Sequence, residues 1–199
     1  SRGLGDVYKR QYPIWAGCLL SGAHMVLPTP AGYRGEGVFD NFWKLIDRWN
    51  ATFVCTVPTA AAALLQRPVG DSDISTLNGA FCGSAPLPIE LFKRFQEVTG
   101  VEIIEGYGLT EATCLVSCNP KEGQRKVGSV GIPLPHTKIK ICSFNKSDQL
   151  DKILGIDEIG EICVANAGVN IGEVYKSEAA NIGLFLSLIH ISEPTRRRG

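Results

Sequence analysis

Short runs of β-branched and apolar residues alternate with amphipathic helical segments in this chain, and this alternation restricts the fold more than any other feature. The runs at 52–57, 77–82 and 101–104 have the length and composition of buried strands. Between them, segments 60–65 and 88–99 carry apolar side chains at helical spacing. A β-α-β-α-β order predicts an α/β fold with a mostly parallel sheet and flanking helices.

Further elements are predicted on either side of this alternation. Residues 24–27 have the composition of a short buried strand, and the apolar positions of 38–49 follow helical spacing. Strands are also predicted at Thr137–Cys142 and Glu161–Val164. In parallel sheets, ligands bind beyond the carboxyl ends of the strands, so the loops that follow them are candidate sites.

The composition excludes several classes of protein. The 199 residues include 20 basic and 20 acidic side chains, for a formal net charge of zero, and 44% are hydrophobic. This balance argues against a nucleic-acid partner and against an acidic disordered tail. No uninterrupted apolar run reaches the roughly 18 residues of a transmembrane segment.

The seven cysteines are predicted to be reduced thiols. None belongs to a C-x-x-C pair, and Cys114 and Cys118 have no histidine nearby to complete a zinc set. Cysteines in apolar runs behave as small hydrophobic side chains. We therefore expect a reducing, cytoplasmic location. The sequence does not indicate an oligomeric state.

The two ends of the chain are predicted to be adapter-derived and not native. Residues 1–11 (SRGLGDVYKRQ) and 186–196 (LSLIHISEPTR) can be encoded by complementary strands of one DNA, with all eleven codons matching. Such a match is typical of an inverted sequencing-library adapter. Residues 1–11 and 186–199 are therefore excluded from fold reasoning, and 12–185 is expected to be an internal piece of a longer protein.

The first candidate loop runs from Gly83 to Pro88, between a predicted strand and a predicted helix. Its small residues let a flat ligand approach the backbone, whose amides are unpaired at a helix N-terminus. An ordinary strand-to-helix turn has the same composition, so this loop alone does not define a site.

The second candidate loop, Glu105 to Glu111, follows the next predicted strand. Two glycines flank Tyr107, whose ring suits stacking on a base. The hydroxyl of Thr110 and the carboxylate of Glu111 suit a phosphate oxygen and a Mg²⁺ ion. The bare pattern is also compatible with a turn that carries a surface tyrosine.

Five segments in order resemble the motifs of adenylate-forming enzymes, the superfamily of acyl-CoA synthetases, luciferases and adenylation domains. G-Y-G-L-T-E-A at 106–112 resembles their Y-G-x-T-E signature. The other four are V-P-T at 57–59, G-S-A-P-L at 83–87, V-G-S-V-G-I-P at 127–133 and D-E-I-G-E-I at 157–162. Residues 12–185 are thus identified as part of the large N-terminal AMP-binding domain, and the sequence at 27–34 favours the acyl-CoA synthetase branch.

This resemblance implies a nucleotide site and an acyl pocket. The nucleotide-binding residues would be Gly83, Ser84, Ala85, Pro86, Glu105, Gly106, Tyr107, Gly108, Leu109 and Thr110. Tyr107 would stack on adenine, Thr110 would bond the phosphates and Glu111 would hold Mg²⁺, so Thr110 and Glu111 are the implied catalytic residues. The acyl pocket would include Val57, Gly128, Ser129 and Gly131.

The implied activity is that of an ATP-dependent ligase that joins a fatty acid-like carboxylic acid to coenzyme A. A carboxylate oxygen attacks the α-phosphorus of ATP and pyrophosphate leaves. The thiol of coenzyme A then attacks the carbonyl carbon of the acyl-adenylate, and AMP leaves. The family's phosphate loop, ribose aspartate and C-terminal lysine have no counterpart in 12–185, so this piece alone is expected to be inactive.

Two alternatives remain open at this point. An adenylation domain would transfer its acyl group to a carrier-protein thiol, and a nucleotide-binding module would bind AMP or ATP without chemistry. Residues 165–175 depart from the family's usual pattern, which leaves their function open. The sequence does not indicate which acid is the substrate.

Overall fold

The computed structural model describes residues 16–147, 149–169, 185–187 and 190–193. The chain divides into two compact units. The first, called the α/β unit below, comprises the described residues of 16–107 and 117–132. The second, called the β unit, comprises the described residues of 108–116 and 133–193.

Parallel strands form the centre of the α/β unit, as the sequence predicts. Strand β1 (Phe53–Thr56) pairs with β2 (Gly79–Cys82), and β2 pairs with β3 (Ile103–Leu109), both in parallel. The order continues through β4 (Cys114–Cys118) and β5 (Ile132–Pro133). The predicted α/β class with a mostly parallel sheet and flanking helices is confirmed.

The helices begin and end where the sequence provides the right residues. They are α1 (residues 16–21), α2 (Phe42–Trp49), α3 (Pro58–Leu64) and α4 (Ile89–Thr99). Pro58 occupies the first turn of α3, where its missing amide proton costs nothing. Gly100 ends α4 in the left-handed conformation, at a φ of 70°.

The core of the α/β unit lies between the strands and α2, α3 and α4. Its members are buried apolar side chains from all of these elements, among them Trp43, Ile46, Leu64, Cys82, Phe95 and Ile103. Phe95 of α4 is only 1% exposed. Burial of this kind supplies most of the free energy that holds such helices on a sheet.

Two sequence predictions along this part of the chain are wrong. Residues 24–27 do not form a strand, and Leu27 is 61% exposed, because none of the described strands pairs with this segment. The segment Glu105–Leu109 is not a loop, because β3 continues through it. Pairing with a neighbouring strand decides both outcomes, and a local pattern does not contain that information.

The β unit is built on an antiparallel sheet that the sequence only partly predicts. Its strands are β6 (Lys138–Phe144), β7 (Leu150–Ile153), β8 (Glu161–Ala165), β9 (Phe185–Ser187) and β10 (His190–Glu193), in the order β7-β6-β8-β10-β9. Strands β6 and β8 confirm the predictions at 137–142 and 161–164. Strand β10 and most of β9 fall in residues 186–199; backbone pairing does not test an adapter origin, which stays a prediction.

The cysteines are thiols and not disulfide partners. Cys82, Cys142 and Cys163 are buried, and the other four are partly buried. Among the described helices, none has the length and apolar character needed to cross a membrane.

Candidate nucleotide-binding site

The strand register brings three of the predicted segments together where β1 and β2 end and β3 continues. The register pairs Thr56 with Cys82 and Cys82 with Glu105. The residues that follow these partners are Val57, Gly83 and Gly106. The predicted V-P-T, G-S-A-P-L and G-Y-G segments therefore share the carboxyl edge, where ligands bind in parallel α/β sheets.

The Gly83–Pro88 loop connects β2 to α4, as predicted. Gly83 is buried, whereas Ser84, Ala85 and Pro86 are exposed. Ser84 adopts a left-handed conformation with a φ of 68°. A non-glycine residue in this region is strained and is found often at ligand sites. The loop thus presents backbone and small side chains to solvent at the sheet edge.

A buried carboxylate fixes the end of this loop. Glu105 is only 5% exposed, and its Oε1 accepts a hydrogen bond from the backbone amide of Leu87 at 3.1 Å. The side chain of Glu105 therefore bonds the protein's own backbone. This contact ties the loop to β3 directly before Gly106 and Tyr107.

The side chain of Phe81, which belongs to none of the predicted motifs, lies against Gly106. A Cβ atom on Gly106 would come within 2.8 Å of the Phe81 ring and 3.1 Å of the Ser117 carbonyl oxygen. The close packing of Phe81 and Ser117 therefore explains the glycine at position 106 without a ligand. Tyr107, the next residue of β3, is half-buried.

The V-G-S-V-G-I-P segment contains Gly128 to Gly131, called the third glycine run below. It is held by Asn119, which lies outside every predicted motif. Asn119 is 7% exposed, and its Nδ2 donates to the carbonyl oxygens of Glu105, at 3.3 Å, and Ser129. Its Oδ1 accepts from the Lys126 amide at 3.3 Å. Asn119 therefore connects this run to β3, next to the G-Y-G segment. The sequence could not have predicted this role, because a single asparagine in a loop forms no recognisable motif.

Gly131 is required by the close approach of two backbones. A Cβ atom there would lie 2.2 Å from the Cys118 carbonyl and 2.3 Å from the Asn119 amide nitrogen, and its φ is 81°. Burial raises the pKa of the neighbouring Cys118 thiol, which therefore stays protonated at neutral pH. This agrees with a structural role for that cysteine.

The remaining predicted residues belong to the β unit. Gly108 and Leu109 complete β3, and a 3₁₀ turn (Thr110–Ala112) follows directly. Thr110 is exposed and Glu111 partly exposed, while Leu109 is buried. The turn therefore carries an exposed threonine and a partly exposed glutamate at consecutive positions.

The oxygen donors of this turn fit a magnesium ion only in part. Mg²⁺ in nucleotide sites is usually held by one or two carboxylates, with waters and phosphate oxygens as its other ligands. Glu111 supplies one carboxylate. The described part of the chain contains no group of three or more metal-ligating side chains. A site for a metal–nucleotide complex fits these residues, whereas an all-protein metal cage does not.

A parallel α/β sheet with glycine-containing segments at its carboxyl edge is typical of the open α/β domains that bind ligands at that edge. Comparison with known families gives the family within this class. The model of a family described as "AMP-binding enzyme" matches residues 11–172. The chain therefore belongs to the AMP-binding enzyme family.

Similar proteins are acid–CoA ligases. The marinolic acid–CoA ligase of Pseudoalteromonas sp. (strain SANK 73390) is 37% identical over 163 residues, which are 82% of this chain and 25% of that protein. A long-chain-fatty-acid–CoA ligase of Bacillus subtilis (strain 168) is 35% identical over 136 residues, covering 68% of this chain and 24% of that protein. The chain thus spans about a quarter of these relatives.

Two solved structures also match this chain. The anthranilate CoA ligase AuaEII, in complex with anthranoyl-AMP, matches with a TM-score of 0.72 and 26% identity, over 86% of this chain and 31% of that one. ATP-bound MatB from Rhodopseudomonas palustris matches with a TM-score of 0.66 and 28% identity, over 77% of this chain and 29% of that one.

Proposed function

We propose that the complete protein is an ATP-dependent carboxylic acid:CoA ligase that forms an acyl-adenylate and then an acyl-CoA. The observation that carries this proposal is the strand register, since it aligns Val57, Gly83 and Gly106 where β1 and β2 end. In parallel α/β sheets, ligands bind at the carboxyl ends of the strands. Family membership and the names of the relatives support the same reaction. The acid is proposed to be fatty acid-like.

The residues of the α/β unit are proposed to bind the nucleotide and the acyl group. Ser84, Ala85 and Pro86 are exposed beyond β2 and offer small side chains to one face of adenine, and Tyr107 offers a ring for stacking. Gly128, Ser129 and Gly131, with Val57, are proposed to line the acyl pocket. The bonds of Asn119 support a fixed shape for this run.

The turn in the β unit is proposed to handle the phosphates. The hydroxyl of Thr110 would donate a hydrogen bond to a phosphate oxygen, and the carboxylate of Glu111 would hold Mg²⁺. When bound, the ion neutralises phosphate charge as the α-phosphorus is attacked. The task of these residues is positioning and charge stabilisation, which does not require a protein nucleophile. The thiol state of the seven cysteines supports the proposed cytoplasmic location.

The test is an assay of the complete protein from the intact gene. Acid-dependent exchange of pyrophosphate into ATP measures the first step, and acyl-CoA formation measures the second, with fatty, aromatic and short acids compared. We expect exchange that requires both the acid and Mg²⁺. Glu111→Gln should lower kcat/KM by about a hundredfold, because a charge-stabilising group is removed.

A matched control is Glu97→Gln, since Glu97 is exposed on α4. It should exchange pyrophosphate at the wild-type rate. Nucleotide binding without exchange for any acid would favour a non-catalytic module. Exchange followed by transfer to a carrier-protein thiol, and not to coenzyme A, would favour an adenylation domain. Equal activity of wild type and Glu111→Gln would remove Glu111 from the site.

A further inference from the structure

The turn that carries Thr110 and Glu111 ends in an unusual backbone conformation. Thr113 has a φ of 53° and Cys114 a φ of 90°, so two consecutive non-glycine residues lie in the left-handed region. L-residues disfavour this region because Cβ crowds the carbonyl oxygen. Such a conformation persists only where the surrounding structure holds it.

The loop after β8 supplies that support. Thr113 Oγ1 donates a hydrogen bond to the carbonyl oxygen of Gly168, while the Thr113 amide donates across the turn to the Thr110 carbonyl at 3.1 Å. A Cβ atom on Gly168 would lie 2.8 Å from Thr113 Cβ and 3.0 Å from the Ala112 carbonyl oxygen. The loop therefore touches the turn directly, and a larger residue at 168 would push against it.

Gly168 is itself fixed by Asn166. The Gly168 amide donates to Asn166 Oδ1 at 2.9 Å, and the Val169 amide donates to the Asn166 carbonyl at 3.2 Å. Asn166 directly follows β8, and its Nδ2 donates to Thr137 Oγ1 at 3.5 Å, immediately before β6. The loop is therefore anchored to two neighbouring strands of the antiparallel sheet.

From these contacts we infer that Thr113 and Gly168 are positioning residues for the Thr110–Glu111 turn. They hold the turn so that its hydroxyl and its carboxylate face the metal–nucleotide complex together. The inference rests on the proposed function and goes beyond it. It also assigns a role to Asn166 and Gly168, which lie in the described part, 165–169, of the segment that departs from the family's pattern.

The functional test uses pyrophosphate exchange by the complete protein. Thr113→Val keeps the shape of the side chain and removes its donor, and Thr113→Ser restores the donor. We expect Thr113→Val to raise the Mg²⁺ concentration for half-maximal exchange about tenfold, as the loss of a residue that supports a metal ligand does. The KM for the acid should stay within about twofold, because the acyl group is not touched. Thr113→Ser should resemble wild type, and Gly168→Ala should resemble Thr113→Val.

A second readout does not depend on activity. In the 199-residue chain, hydrogen exchange of the Thr113 amide should be faster in Thr113→Val and in Gly168→Ala than in wild type. Unchanged amide exchange in both variants would overturn the supporting contact. Faster amide exchange with an unchanged Mg²⁺ requirement would overturn the positioning role. If the complete wild-type protein shows no acid-dependent pyrophosphate exchange, the proposed function fails, and the positioning role fails with it. The hydrogen exchange of the Thr113 amide would still decide whether the supporting contact exists.

Discussion

Replacing Asn119 by alanine should destabilise the protein by about 2 kcal/mol, because this side chain makes three hydrogen bonds in a nearly buried position. Each such bond contributes about 0.5–1.5 kcal/mol net. Two of the three are 3.3 Å long, near the limit for a good bond, which places the sum in the lower part of the range. The Asn119 amide bond to the Glu105 carbonyl, at 3.0 Å, is unaffected.

Urea unfolding of the 199-residue chain at pH 7 measures this loss, with an unchanged m-value as the sign that stability alone has changed. Asn41→Ala is the matched control, since Asn41 is exposed and its side chain makes one bond, to the Gly37 carbonyl at 3.0 Å. That variant should lose less than about 0.5 kcal/mol. Asn119→Asp should be worse than Asn119→Ala, because its carboxylate would face the Glu105 and Ser129 carbonyl oxygens. Equal stability of Asn119→Ala and Asn41→Ala would refute the argument that Asn119 holds the third glycine run.

Four more predictions concern the packing, the thiols and the activity of a chain that spans about a quarter of its relatives. Phe95→Ala should cost about 3–5 kcal/mol in urea unfolding, because Phe95 is fully buried, whereas the more exposed Val98→Ala should cost much less. Gly131→Ala should lower the free energy of unfolding by at least about 2 kcal/mol, because a Cβ there meets backbone atoms. Larger residues at 131 should lower it at least as much. Burial first, and then a hydrogen bond with Cys142, raise the pKa of the Cys163 thiol from 9.0 to about 12. The contribution of this thiol to stability is therefore fully present below pH 9 and is lost as the pH rises toward 12. Between pH 8 and pH 10.5, the free energy of unfolding should therefore fall more in wild type than in Cys163→Ala. The 199-residue chain should form no acyl-CoA, and detectable product from it would contradict the expectation that other parts of the enzyme are needed.

The sequence predicted the α/β unit well because its signals there are local. Strand β1, with its β-branched residues, and helix α4, with apolar side chains at helical spacing, both form within a few residues of the predicted bounds. Pro58 and Gly100 mark a helix start and a helix end by their own backbone restrictions. Such features need no knowledge of distant contacts.

The prediction was wrong where packing against another strand decides the conformation. The G-Y-G segment has the composition of a turn, yet it is the second half of β3. A Cβ atom on Gly108 would lie 1.7 Å from the carbonyl oxygen of Cys114, so the chain at Cys114 packs directly on this glycine. Glycine here permits a close approach between two backbones and does not mark a bend.

The same distinction separates the site residues that a motif can identify from those it cannot. Glycine, tyrosine and carboxylate at fixed spacing indicate a ligand chemistry, and the register of β2 and β3 does align two such segments. The motif does not indicate which side chains bind the protein's own backbone and not a ligand. The Glu105 carboxylate binds the Leu87 amide, and Asn119, outside every motif, joins β3 to the third glycine run. Because these contacts fix the loops before any ligand arrives, less entropy is lost when the ligand binds, and changes at Asn119 should affect binding as well as folding.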